Sequence, residues 1–399
     1  MNNQNTIGFL KSHKKYERRI ALLPQELSKL VDPNSIYLEK NYGSDLGISD
    51  NDYTNLGAHI VSRDVALEQD IICDPKIGES DFLHRLQKHQ TVFGWLHAKQ
   101  NQDITNVLVQ TKVRAIAWEE MYSDNRHIFW RNNELAGEAA IMHAFLLTGQ
   151  MPYDTKVAVI GRGNVAFGAI KILQGLGADV TVFKHNQEEL LSKSLNEYDV
   201  IVNAALWDVN RHDHLISLDD LAQMNAGTLI IDISADVAGG IESSHITTMN
   251  TPLYTQDQIN HYVIDHTPSL LYRTASKSIS QAIFPFLDDL IFKTKNEVLS
   301  KATIIENGKI ISQSVENGQE LTDDTTIVFE VSIGAGIKIP NYSKVSSDEA
   351  QELSDKMKLK IKNVYNRNVS YGKLISQSVK AGTTKKETDN EVTLTYSLG

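Results

Sequence analysis

The stretch at residues 153–186, YDTKVAVIGRGNVAFGAIKILQGLGADVTVFKHN, restricts the fold more than any other part of the chain. Lys156 to Ile160 is a short apolar run of the kind a buried strand needs. Gly161, Arg162 and Gly163 follow directly, then Asn164, Val165 and Ala166. Apolar residues recur at helical spacing from Val165 to Leu176, Gly177 closes that helix, and 179–183 form a second strand. Strand, glycine turn, helix and strand together make the unit that receives a dinucleotide. Gly161 permits the tight turn, Gly163 lets the backbone approach a pyrophosphate, and the small Ala166 lets helix and strand pack closely. The helix start offers free N–H groups to the phosphates. A plain packing turn would use similar residues, but the flanking strands favour the nucleotide.

The end of the second strand bears on which nucleotide. NAD-binding units place an acid there, about 20 residues past the glycines, to hold the ribose 2′-hydroxyl. Here the place reads Phe183-Lys184-His185. A lysine accepts no hydrogen bond from a hydroxyl, yet it pairs with a 2′-phosphate. NADP(H) is therefore expected, with Lys184 and His185 beside the phosphate; the alternative is a solvated Lys184 and no preference. Asn203, closing the next strand, is placed with the cofactor residues.

A chain of 399 residues has room for two or three domains. Its net charge of −11 argues against nucleic-acid binding. The single cysteine, Cys73, excludes an intrachain disulfide and a cysteine-cluster metal site, and its apolar strand marks it as a small buried hydrophobe. No run of about 18 apolar residues or signal-peptide core occurs, so a cytoplasmic protein without a membrane span is expected.

Strands are expected near 6–10, 35–39, 59–62, 71–73 and 91–96, with helical segments between them, including one opened by Pro24 and running to about Val31. This alternation implies a parallel sheet with helices on its faces, whose function lies on loops at the carboxyl ends of the strands. Three polar residues stand at such ends: Arg19, Lys76 and His97. Each has an ordinary structural reading taken alone, and their shared placement is what singles them out. An arginine fork suits a carboxylate. A histidine suits proton transfer to a carbonyl oxygen.

Residues 132–148 predict a long helix with Ala136, Ala140 and Ala144 as a small-residue stripe, suited to packing between two domains. Further strands are expected at 200–203, 228–231 and 262–264. Asp236 follows the second of these, beside small residues that would admit a ligand or merely cap a turn. Residues 274–291 predict a helix returning to the first domain. The loop Arg211-His212-Asp213-His214 is a poor metal signal, and no metal is expected. Past Phe292 a repeat appears: GKIISQS at 308–314 returns as GKLISQS at 372–378, each followed by a glycine turn and a strand. The expected fold is α/β: two doubly wound, Rossmann-like domains flanking a cleft, then a small α+β tail. The boundaries are 1–131 (completed by 274–292), 132–273 for the NADP-binding domain, 293–334 for a partial module and 335–399 for a full one.

Residues 6 to about 292 resemble the alanine dehydrogenase/pyridine nucleotide transhydrogenase superfamily. Glu17-Arg18-Arg19 through Leu22-Leu23-Pro24, Asp74-Pro75-Lys76, Leu96-His97, Gly161-Arg162-Gly163 and 232–236 carry the likeness. Within it, GTLIID at 227–232, IESSH at 241–245 and TPSLLYR at 267–273 are similar to segments of the N5-(carboxyethyl)ornithine synthases. The resemblance implies that Arg19 binds the carboxylate of pyruvate, Lys76 contacts the keto acid, His97 is the acid–base residue and Asp236 lies beside nicotinamide and substrate. It also implies an NADPH-linked condensation of pyruvate with the side-chain amine of ornithine or lysine, in a homo-oligomer. Alanine dehydrogenase, with ammonia as the amine, and a non-catalytic cofactor-binding sensor are the alternatives. Residues 335–399 resemble a PASTA module through Ile339-Pro340-Asn341, Glu349-Ala350, Leu353, 375–378 and 393–399. The ligand of this tail is not implied by the sequence.

Overall fold

The computed structural model describes residues 4–207, 211, 213–235, 239–313, 329–331, 337–338, 342, 359–366, 368–371, 373–379, 384–385 and 392–398. One compact unit runs to residue 308, and a second holds the C-terminal residues from 329. The first unit contains two sheets. In the first, β1 (Ile7–Phe9), β2 (Ile36–Glu39), β3 (His59–Val61), β4 (Ile71–Cys73), β5 (Thr91–Gly94) and β6 (Arg114–Ala117) are all parallel and run in the order β3-β2-β1-β4-β5-β6. The chain reverses its winding between β1 and β4, and a crevice opens outside the carboxyl ends at such a switch point. β1 and β4 are buried throughout, as strands covered by helices on both faces must be.

The second sheet has the order β8-β7-β9-β10-β12-β11, from β7 (Lys156–Ile160), β8 (Asp179–Phe183), β9 (Val200–Asn203), β10 (Leu229–Asp232), β11 (Leu253–Gln256) and β12 (Ile259–Tyr262). Only the hairpin of β11 and β12 is antiparallel. Its switch point lies between β7 and β9, beside the glycine turn.

Two long helices join the lobes. Helix α1 (Trp130–Thr148) leads out of the first lobe and lies against α2 (Asn164–Gly175). The contact is close because a side chain at Gly137 would meet Val165 O at 2.1 Å, and one at Gly168 would meet Glu134 O at 2.0 Å. Ala140 and Ala144 therefore fill the core of the second lobe instead of separating two domains. Helix α3 (Tyr272–Phe292) returns, and its Ile279, Ile283, Phe286, Leu287 and Leu290 join the core of the first lobe. Beyond it, Thr303–Glu306 pairs antiparallel with β6, so this segment extends the first sheet instead of opening a tail module. Pro24 opens a helix of one turn only, ending at Leu27.

In the C-terminal unit Val392–Ser397 lies between Leu359–Val364, parallel to it, and Leu374–Gln377, antiparallel. Val392, Leu394 and Tyr396 are buried with Tyr342, and Leu359, Ile361 and Leu374 pack against them. Both copies of the repeat are strands, at Lys309–Gln313 and Leu374–Gln377. Among the described residues no helix is long and apolar enough to cross a membrane.

Candidate active site

The basic loop after β1 is fixed by hydroxyl groups from distant parts of the chain. Buried backbone N–H groups need partners. Ile20 N–H donates to Ser276 Oγ and Leu23 N–H to Ser280 Oγ, both at 2.9 Å and both on α3. Ala21 and Leu22 donate to the Tyr42 hydroxyl at 2.8 and 3.1 Å. Arg19, only 3% exposed, is thereby held in place. Its Nε and Nη2 donate to the two oxygens of Glu17 at 2.8 and 2.6 Å, and its Nη1 donates to Asn132 Oδ1 at 3.2 Å. A guanidinium has five N–H groups. The outer edge, one N–H on each Nη, is left for a carboxylate. Burial alone would push the Glu17 carboxyl up, but the charge and hydrogen bonds of Arg19 outweigh it and hold it low.

Lys76 follows β4 and is 6% exposed. Its backbone N–H donates to Asp74 Oδ1 at 2.8 Å, and its Nζ lies 3.0 Å from Glu79 Oε1. Lys14 binds the other Glu79 oxygen and also Asp265 Oδ2. The two lysines are pushed in opposite directions. Burial and the like charge of Lys14 lower Lys76. For Lys14, burial is outweighed by Asp265 and Glu79, which raise it. Burial also pushes Asp74 up to about 7.

His97 follows β5 with φ of +51°, an uncommon conformation for a side-chain-bearing residue. The backbone is pinned there by the Glu119 carboxylate, which accepts N–H bonds from Leu96 at 3.1 Å and His97 at 2.6 Å. Gly78 abuts the same turn: a side chain on it would meet Leu96 O at 2.1 Å. Burial, then the charge of Lys76, pushes His97 down to about 4, so the imidazole is neutral near pH 7. Burial raises Glu119 to about 7 against the pull of its N–H bonds.

A further pair follows β12. His266 Nδ1 lies 2.6 Å from Asp265 Oδ1, while the other Asp265 oxygen takes Lys14. Burial would raise the Asp265 carboxyl, but the bond from His266 and the charge of Lys14 hold it well below its ordinary range. Thr267 Oγ1 donates to Ala136 O on α1, and Ser269 Oγ to Tyr16 O in the loop after β1.

In the second lobe Gly161 has φ of +113°, and a side chain there would meet Ala204 O at 2.6 Å. Gly163 begins α2 without a side-chain cap, and a Cβ placed on it meets nothing within 4 Å. Ala166 is fully buried in the core. Lys184 is exposed, and its backbone N–H donates to Gln187 Oε1 at 2.9 Å. His185 opens the short turn His185–Gln187, its side chain lying outside the described residues. The first acids beyond the strand are engaged: Glu188 accepts both Nη groups of Arg211 at 2.8 and 2.9 Å, and Glu189 pairs with Lys193. Asn203 is buried, its Nδ2 donating to Asp232 Oδ1 at 2.9 Å and its Oδ1 accepting from Ala205 N–H at 3.2 Å. Asp236 lies outside the described residues. Arg211 also pairs with Asp213, and His214 Nδ1 is 2.7 Å from Gly239 O. Among the described residues no three His, Cys, Asp or Glu side chains gather as a metal site requires. Cys73 is buried, and burial pushes its thiol well up.

Residues 8–129 match the family model described as alanine dehydrogenase/PNT, N-terminal domain, and residues 184–315 match its C-terminal domain. The chain is 30% identical over 294 residues to N(5)-(carboxyethyl)ornithine synthase of Clostridium botulinum (strain Hall), covering 69% of this chain and 92% of that protein. The chain belongs to the alanine dehydrogenase/PNT family. It is also similar to alanine dehydrogenase 1 of Staphylococcus aureus (strain MSSA476), at 26% over 361 residues, 79% of this chain and 97% of that one. A solved L-alanine dehydrogenase shares the fold with a TM-score of 0.66 at 22% identity, over 76% of this chain and 96% of that chain. A transhydrogenase from Sinorhizobium meliloti does so at 0.62 and 17%, over 75% and 98%. Residues 337–398 match a PASTA domain.

Members of this family are pyridine-nucleotide-dependent oxidoreductases. The glycine turn fits that cofactor: an uncapped 12-residue helix with open space at Gly163 leaves N–H groups for a pyrophosphate. Arg19, Lys76 and His97 lie close enough that the charge of Arg19 acts on Lys76 and that of Lys76 on His97. Sequence reasoning missed Lys14, Glu17, Glu79, Glu119, Asp265 and His266. Glu119 stands at the carboxyl end of β6, so the rule that found His97 also points to it.

Proposed function

We propose that this enzyme uses NADPH to reduce the imine formed between pyruvate and the side-chain amine of ornithine, yielding N5-(carboxyethyl)ornithine, with lysine as an alternative amine. The observation that carries the reading is the meeting of Arg19, Lys76 and His97 at neighbouring strand ends of one sheet. The free edge of Arg19 suits the keto-acid carboxylate in two parallel N–H···O bonds. Because Glu17 and Asn132 already orient the fork, little ordering remains when substrate binds. Lys76 stabilises negative charge on the keto oxygen. His97, neutral and beside Lys76, exchanges protons with that oxygen as it becomes a leaving water. Asp236 is assigned to the nicotinamide end of the same site. NADPH, when bound, supplies the hydride that reduces the imine carbon.

Gly161, Gly163 and Ala166 form the pyrophosphate cradle, with Asn203 beneath it. Lys184 and His185 are assigned to the 2′-phosphate. Engagement of Glu188 by Arg211 supports NADPH over NADH, since the first acid past the strand is drawn away from a ribose hydroxyl. We place the enzyme in the cytoplasm as a homo-oligomer. A second reading, alanine dehydrogenase, is favoured by the 26% likeness to the Staphylococcus aureus enzyme. The test is NADPH and NADH oxidation with pyruvate and ornithine, lysine or ammonium. Turnover with ornithine or lysine and NADPH is expected. A response to ammonium alone would overturn the synthase reading.

A further inference from the structure

The proposed condensation moves protons on both sides of one new bond. Lys76 and His97 serve the oxygen side. An amine attacks only when neutral, yet a free side-chain ammonium has a pKa near ~10.4, so a group must also take its proton. His266 is placed for this. It is 5% exposed, and its Nε2 has no hydrogen-bond partner. A buried, unpaired ring nitrogen carries a desolvation penalty that an arriving donor would relieve. The other nitrogen faces the Asp265 carboxylate, which only accepts, so Nδ1 carries the hydrogen and Nε2 presents its lone pair. Asp265 binds Lys14, Lys14 binds Glu79, and Glu79 binds Lys76. His266 thus joins the network that holds the keto-acid residues. The charged groups of that network are Asp265 next in the chain, Lys14 from the loop after β1, and Lys76 and Glu79 from the loop after β4.

Resting on the imine-reduction reading above, we infer that His266 takes the proton from the ammonium of the second substrate. The N–H bond breaks toward Nε2, and the freed lone pair forms the C–N bond to the keto carbon. The carbonyl π pair moves to oxygen, and a proton shifts from nitrogen to that oxygen. The C–O bond then breaks. The hydroxyl leaves as water with a proton delivered by His97, made good by the proton that His266 releases, and nitrogen donates its lone pair to give the iminium. One ammonium and one ketone become one iminium and one water, with no change of oxidation state before hydride transfer.

The test is amine-saturation kinetics of full-length His266→Asn and His266→Gln at pH 7 and near pH 10. At pH 7 kcat/KM for the amine is expected to fall roughly 100- to 1000-fold. Near pH 10 the gap should shrink below about tenfold, because the substrate then supplies its own neutral form. Added imidazole should recover part of the loss at pH 7, and NADPH binding followed by nucleotide fluorescence should not change. An equal loss at both pH values would assign His266 a structural role and overturn the inference, as would no loss at all. Wild-type turnover with ammonium alone would overturn the synthase reading, while the same pH comparison with ammonium still decides His266. A wild-type protein inert toward every amine overturns both.

Discussion

The carboxyl ends of the two sheets solve the binding problem in opposite ways. At the first sheet the ends are buried and crowded with ionised side chains that bind one another: Arg19 with Glu17, Lys76 and Lys14 with Glu79, Lys14 with Asp265. At the second sheet the groups we assign to the cofactor are backbone N–H groups of an uncapped helix and an exposed Lys184. The first arrangement fixes direction before substrate arrives, at the cost of desolvating many charges. The second leaves charge in water and relies on the glycine backbone. Substitutions in the first should therefore damage folding and chemistry together, and substitutions in the second should damage affinity alone.

The sharpest break of that contrast is Arg19→Met. It strips Glu17 of its partner inside the fold and removes the carboxylate fork. We expect kcat/KM for pyruvate to fall by about 1000-fold or more, matching loss of a charge-assisted bidentate contact and of orientation. Denaturant melts should show a stability loss of about 3–5 kcal/mol, as for other broken buried ion pairs. Lost activity with an unchanged melt would mean that Glu17 is not held charged by Arg19 alone.

The second sheet should answer differently. Lys184→Glu places an acid where a ribose hydroxyl would meet it and where a 2′-phosphate would be repelled. NADPH affinity is expected to fall about 100-fold and NADH affinity to rise, while the melting temperature stays within the small range of surface substitutions. Equal NADPH and NADH dissociation constants in the wild-type protein would remove Lys184 from cofactor choice.

The same contrast explains what was legible in the sequence. Gly161, Gly163 and the strands around them are a local pattern, so the nucleotide unit could be read from consecutive residues. Lys76 and His97 were legible as candidates because each closely follows an apolar run, and Arg19 because it lies in the loop after the first strand. Their partners were not, because pairing is tertiary: Lys14 meets Asp265 across 251 positions and Ile20 meets Ser276 across 256. Nothing local distinguishes Ser276 and Ser280 from solvated helix serines, yet they hold the arginine loop. The alanine stripe of α1 was legible as a packing face, but which neighbour it meets depends on Gly137 and Gly168, whose missing side chains admit α2.

The smallest effect sharpens the comparison within the first sheet itself, where burial has moved acids and a base toward their neutral forms. Asp74 has a folded pKa of about 7 against an ordinary value of 3.8. Its contribution to stability is complete below the unfolded pKa and is lost as pH rises from about 4 to about 7, because only the unfolded chain releases the proton early. His97 works the other way. Its pKa of about 4 lies below the ordinary 6.5, so its contribution is present above 6.5 and is lost as pH falls toward 4. Asp74→Asn keeps an acceptor for Lys76 N–H and an amide that can donate to Ser80, without the titration. Relative to wild type, this variant should gain stability between pH 4 and 7, on the order of 4 kcal/mol, and stay level above. His97→Asn should gain instead as pH falls from 6.5 to 4. Urea midpoints at several pH values measure both slopes. Parallel slopes in the two variants would contradict the opposite signs, and with them the view that burial, acting on an acid and on a base, sets the charge state of this site.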